Sequence, residues 1–178
     1  CECYVIPIPY YERMADSDSA VMKYEGAMMP EYVPITSYES YDFKKRRPDI
    51  IYIHNPFDQY NRVTSVHPAF YSFELKKYTQ MLVYVPYYIT GGSIPESFRQ
   101  LPSYNYIDKI VIQSHKFRNF FKNSVPSDKI VALGSPKVDR IYSFNNTEKK
   151  IPEEWASAIQ NRKVILYNTS LSGLLKYR

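Results

Sequence analysis

Four short apolar runs constrain the fold of this chain more than any other feature of its sequence: "DIIYIHNP", "MLVYVPYYI", "KIVIQS" and "KIVALGSP". Each holds a core of three to five apolar residues rich in Ile, Val and Tyr, broken within two residues by Pro, Gly, Ser or Asn. Continuous apolar runs of this length fit strands of a parallel sheet, buried on both faces. Between them the period changes. In "HPAFYSFELKKYTQ" Phe70, Phe73, Leu75 and Tyr78 keep roughly helical spacing, with Pro68 in a first turn. "HKFRNFFKNSV" places Phe117, Phe120 and Phe121 on one helical face, and "EEWASAIQNRK" reads as a further helix before a strand, "VILYNTS". Strands alternating with helices predict an α/β fold, a Rossmann-like parallel sheet with helices on both faces.

The amino-terminal part is less regular. Tyr4 to Glu12, "YVIPIPYYE", reads as a strand whose prolines suit an edge. The segment containing "SDS" and "KYEGAMMPEYVP" reads as an irregular excursion, and Tyr38 to Arg47 as a short helix closed by Pro48. The chain begins with Cys1 inside a strand-like run, which is the expectation for a piece of a longer protein.

With 178 residues the chain is long enough for a core of its own. No run approaches the ~20 apolar residues of a membrane span. Cys1 and Cys3, the two cysteines, form a lone C-x-C pair that makes a poor zinc site, and no metal or cofactor is expected. A reducing cytoplasm fits them. Nineteen tyrosines stand against one tryptophan, a balance that suits half-buried walls and ligand clefts. The net charge of +5 favours anionic partners. Its densest run is Lys44, Lys45, Arg46 and Arg47, read either as a solvated helix end or as a contact for an anionic membrane surface. The basic residues form no aromatic-interleaved strip, so no nucleic-acid partner is expected.

In parallel sheets ligands gather beyond the carboxyl ends of the strands. Here those ends hold all three histidines and most unpaired polar residues. His54 ends the first run, ahead of Asn55 and Pro56, and has the pKa of a general base at neutral pH. His67 precedes Pro68, where catalysis and helix capping are both open. His115 suits a cap. The reading puts His54 and Asn55 at the end of a central strand, with 58–64 along the cleft edge, His67 returning near it, and Tyr87 and Gly91 alongside. "TGGS", at 90–93, offers backbone N–H groups to a phosphate or is a plain turn. No G-x-G-x-x-G, Walker loop, nucleophile elbow or H-E-x-x-H occurs.

"GSPKVD", Gly134 to Asp139, has the form G-x-P-[basic]-x-D at a strand end, followed by a linker helix and "KVILYNTS". With the upstream block from Pro48 to Ile89, this order resembles the CDP-glycerol glycerophosphotransferase family, makers of teichoic-acid and related polymers, over most of the chain from Tyr4 onward. The resemblance implies one half of a GT-B architecture. Residues 1–145 would be the acceptor-side domain, and 146–178 a linker helix and the first strand of a truncated donor domain. It implies transfer of glycerol phosphate from CDP-glycerol, or a similar CDP-linked donor held mostly by the missing half. The acceptor would be a lipid-linked polyol phosphate or glycan, at the inner face of the cell membrane.

Better-known members carry Trp-His-Gly at the end of the strand matching "LVYVPYYI"; this chain has Pro86-Tyr87-Tyr88. His54, on the neighbouring strand, is the first choice of base in its place, with His67 second. Lys137 replaces the usual arginine, keeping charge but losing bidentate geometry. The expected substrate-binding set is Asn55, Asp58, Asn61, Tyr87, Tyr88, Gly91, Ser114, Gly134, Ser135, Lys137 and Asp139. Two alternatives stay open: a nucleotide-sugar glycosyltransferase half, or a non-catalytic polyol-phosphate or glycan-binding module walled by Tyr84, Tyr87 and Tyr88.

Overall fold

A computed structural model describes residues 1–13, 19–61, 63–90, 94–145, 151–160 and 162–165. Its contacts divide the chain into two units, Cys1–Ile141 and Tyr142–Arg178.

The first unit is built on two sheets. Strands β1 (Tyr10–Arg13) and β2 (Ala20–Lys23) pair antiparallel, and β1 pairs on its other side with β4 (Thr64–Val66). The second sheet is parallel throughout: β3 (Ile50–Ile53), β5 (Met81–Tyr84), β6 (Lys109–Ile112) and β7 (Ile130–Ala132), side by side in that order. These are the four apolar runs of the sequence. With helices flanking them, the fold is α/β and Rossmann-like.

Register decides which residues share a face. Ile53, Tyr84, Ile110 and Ile130 align across the four strands, and Ile51, Leu82, Ile112 and Ala132 lie two residues away on the same face. This face carries the core: Leu82 and Ile110 are fully enclosed and pack with Phe70, Leu75, Tyr104, Ile107 and Phe121. Burying one such aliphatic side chain contributes roughly 1.5–3 kcal/mol. The alternate face is mixed, with Val83 and Val111 buried but Tyr52 66% exposed.

β3 departs from its expected surroundings. It is an edge strand among the described residues, not a central one, and Ile50 and Tyr52 are exposed. Its continuous apolar run is therefore not buried on both faces. Edge and interior strands of this kind read alike, because apolar content alone does not fix the neighbour.

The helices are shorter than their periodicity predicts. α1 (Phe43–Arg46) is one turn, started by Asp42, whose carboxylate accepts the Lys45 N–H at 2.9 Å, and ended by Arg47 at φ 46°. The predicted helix from His67 is broken into a 3₁₀ turn at Pro68–Phe70, α2 (Ser72–Leu75) and a second 3₁₀ turn at Lys76–Tyr78, because Tyr71 is extended at ψ 150°. α3 (Glu96–Arg99) follows β5, and His115–Phe121 is a 3₁₀ helix that buries Phe121. α4 is Pro136–Asn145 and α5 is Glu153–Ile159. The expected last strand is not formed at Val164 and Ile165, and its remaining residues lie outside the described ones. No described helix is long and apolar enough to cross a membrane.

The amino terminus also corrects the expectation. Tyr4 to Glu12 is not one strand: Val5 makes a lone parallel bridge to Ile35, and only Tyr10 onward enters a ladder. Part of the predicted excursion is β2, and Thr64, placed in a loop by the sequence, begins β4.

Candidate functional site

The site grows from the point where β3 stops. Pro56 has no N–H to offer a ladder, so the chain must leave the sheet. The turn is held from two sides: Asn55 Oδ1 accepts the Phe57 N–H at 3.0 Å, and the Pro56 carbonyl accepts the buried Ser103 hydroxyl at 2.5 Å. His54, between strand and turn, is thereby fixed at the carboxyl end of β3. On the neighbouring strand the Val85 N–H donates to the Ile53 carbonyl at 2.8 Å, extending the pairing one residue beyond β5 before Pro86 ends it. Tyr87 then stands beside His54, ring edge to ring face, with centroids 5.9 Å apart and planes at 84°. Tyr88 meets Tyr87 the same way at 5.5 Å.

These two strand ends border a cleft of about 330 Å³. Ile53, Val85, Pro86 and Pro136 give it apolar lining, Tyr52 and Tyr87 aromatic lining, and His54 and Lys137 its nitrogen groups. No carboxylate of the described residues lines it. His54 is exposed at its edge, yet the atoms crowded round the imidazole desolvate the cation and hold its pKa below the ordinary value. The shift favours the neutral imidazole, the form able to accept a proton.

Of the residues named from sequence, the cleft brings together His54, Tyr87 and Lys137. Ser135 and Gly134 lie just ahead of Lys137, in the turn from β7 into α4. The others are placed elsewhere. His67 does not line the cleft. It caps the turn Pro68–Phe70, its Nδ1 accepting the Ala69 N–H at 3.2 Å, and stacks on Tyr11 at 5.6 Å beside the antiparallel sheet. Asp58 is buried and bonded to Ser72. Asn61 Oδ1 accepts the N–H groups of Val63 and Thr64, so it shapes the entry to β4. Ser114 precedes the 3₁₀ helix His115–Phe121 and makes no side-chain cap. Asp139 is exposed in the first turn of α4 and does not line the cleft. Gly91 lies outside the described residues.

Two contributors were not singled out by sequence. Tyr52 lines the cleft because β3 is an edge strand. Gln113 ties down the loop after β5, its Oε1 accepting the Thr90 N–H at 3.0 Å and its Nε2 donating to the Tyr88 carbonyl at 3.2 Å. A polar residue directly after "KIVI" was the available signal. Of the basic run, Arg46 donates to the Tyr4 hydroxyl at 2.6 Å and lies over the Tyr4 and Tyr41 rings, and Arg47 donates to the Lys77 carbonyl at 2.7 Å. Half of that run is thus engaged within the fold.

No family model, no curated protein and no solved structure matches this chain.

Proposed function

We propose that this chain is the acceptor-side half of a CDP-glycerol-type glycerophosphotransferase, with the cleft at His54 and Tyr87 receiving the acceptor. A single observation carries the reading. A desolvated imidazole, a tyrosine and a lysine converge in one small cleft at the carboxyl ends of parallel strands. The sequence order that resembles the family supplies the donor. In the proposed reaction an acceptor hydroxyl attacks the phosphorus that bears glycerol in CDP-glycerol. The new O–P bond forms as the bond from that phosphorus to the bridging oxygen breaks. CMP leaves with the bridging oxygen, and His54 takes the proton of the attacking hydroxyl. Lys137 offsets charge on phosphate.

The acceptor is proposed to be a lipid-linked polyol phosphate or glycan, which would bring the protein to an anionic inner membrane surface. Lys44 and Lys45 are the residues of the basic run left to face it, at about 1 kcal/mol each near such a surface. Co-sedimentation with vesicles should rise with anionic lipid content and fall for Lys44→Ala/Lys45→Ala. Binding indifferent to lipid charge counts against the membrane role.

The transfer reading is tested by CMP release from CDP-glycerol, by the full-length protein that carries this chain, with a glycerol-phosphate-primed acceptor. Hydrolysis or transfer of a CDP-alcohol supports it. Activity with nucleotide sugars alone replaces it with a glycosyltransferase. Among the described residues no carboxylate lines the cleft beside His54, as in a non-catalytic glycan- or polyol-phosphate-binding module, and binding without turnover of any donor would favour that reading.

A further inference from the structure

We infer that the turn Gly134–Lys137, with the amino end of α4, is a phosphate-binding site opening on the His54 cleft. The inference rests on the cleft being a ligand site, and it does not depend on the transfer chemistry. The turn leaves β7 pinned to the sheet: the N–H groups of Leu133 and Gly134 both donate to the Ile112 carbonyl, at 3.1 and 3.3 Å. Gly134 has φ 98°, a conformation L side chains rarely adopt, and the space where a Cβ would stand is open. The chain can therefore reverse here without crowding the region ahead of α4.

Ser135 is the residue before α4, and its carbonyl accepts the N–H groups of Val138 and Asp139 at 2.9 and 3.2 Å. In that position a serine hydroxyl ordinarily accepts a first-turn N–H. Here it does not: Ser135 is only 4% exposed and its Oγ has no hydrogen-bond partner. Leaving a buried hydroxyl unpaired is unfavourable. Pro136 brings no N–H, and the Lys137 N–H has no partner among the described residues. So the amino end of a ten-residue helix keeps one hydroxyl and one amide unused, where the helix dipole favours an anion. Pro136 and Lys137 line the cleft together with His54, and Ser135 directly precedes them in the chain. Two or three donors around one anion is the chemistry of a phosphate cradle. The exposed Asp139 carboxylate, two residues on, opposes this charge but does not line the cleft.

The test is an amide-resolved NMR titration of the whole chain with inorganic phosphate, glycerol 3-phosphate and CMP. The expected result is a saturable shift of the Lys137 amide. Glycerol 3-phosphate binding more tightly than CMP identifies an acceptor phosphate, and the reverse order a nucleotide phosphate. Lys137→Gln should weaken binding about 10-fold or more, as loss of a charged hydrogen bond does, and Ser135→Ala about 5-fold. Lys137 is exposed, so its variant should fold whatever Ser135→Ala does. A Lys137 amide that does not move, a shift that never saturates, or equal binding by Lys137→Gln overturns the inference. Saturable binding together with no CMP release overturns only the transfer reading.

Discussion

Asp58 Oδ1 accepts two hydrogen bonds from Ser72, from its backbone N–H at 3.0 Å and from its hydroxyl at 3.1 Å. The pair ties the segment after β3 to the start of α2, across 14 residues of chain. Asp58 is 4% exposed and adopts φ 48°, a backbone conformation that Asn and Asp tolerate best among side-chain-bearing residues. Burial lifts its pKa to about 6, against the two Ser72 bonds, which pull it down.

The first prediction follows from that carboxyl. Unfolded, it titrates near about 3.9, so between about pH 4 and pH 6 the folded chain binds more protons than the unfolded one. Its contribution to stability is then greatest at low pH and is lost as pH rises through about 6, by ~3 kcal/mol. Asn keeps the acceptor oxygen and the backbone conformation without the charge. Asp58→Asn should therefore flatten the stability profile across this window and hold or raise stability at pH 7, measured by urea unfolding. A variant with the wild-type slope refutes the assignment.

Asp108 is the opposite case. Burial works against its charge, but the Lys76 ammonium at 2.6 Å and the Leu82 N–H at 2.7 Å hold its pKa below the ordinary value. Leu82 is fully buried in the core face of β5. Asp108→Ala leaves that N–H unpaired and should lower stability by about 1–3 kcal/mol. The stability contributed by this carboxylate is present above its unfolded pKa and is lost as pH falls through the lower folded value. Asp108→Asn should reduce the loss of stability on acidification below about pH 4.

Tyr84 offers a test in which removal should be harmless. Its hydroxyl is buried beside the Tyr88 hydroxyl but makes no hydrogen bond of good geometry, while its ring packs in the core near Tyr104. Tyr84→Phe keeps the ring and removes the unpaired group, so thermal unfolding should be unchanged or rise by an equivalent of about 1 kcal/mol. A loss of that size would show that the hydroxyl is satisfied in solution.

The parallel sheet was legible because "IIYI", "MLVY" and "KIVI" are short, apolar and closed by breakers. The antiparallel sheet was not, since all four residues of β2 are exposed and nothing in "AVMK" alternates. Its strands exist through long-range pairing with Tyr10–Arg13, which a local pattern does not record. Within the site, His54 and Tyr87 were legible as strand-end neighbours, and their parallel pairing placed them together. The separation of His67 was not. Its cap at Pro68 was readable, but its stacking on Tyr11 depends on β1 pairing with β4.

If His54 is the base, the pH dependence of transfer follows from its surroundings. Desolvation by the surrounding atoms lowers its pKa, so kcat/KM should rise with pH through a value below about 6.5. A limb centred above pH 7 would assign the base elsewhere.

The most direct measurement is CMP release from CDP-glycerol by the full-length protein, comparing wild type with His54→Ala and His67→Ala. Loss of a general base lowers rates about 100- to 10,000-fold, and His54→Ala should fall in that range with its fold intact. His67→Ala should keep its rate within a few-fold of wild type, losing at most about 1 kcal/mol of stability with its cap. Full activity in His54→Ala, or a loss confined to His67→Ala, would contradict the account.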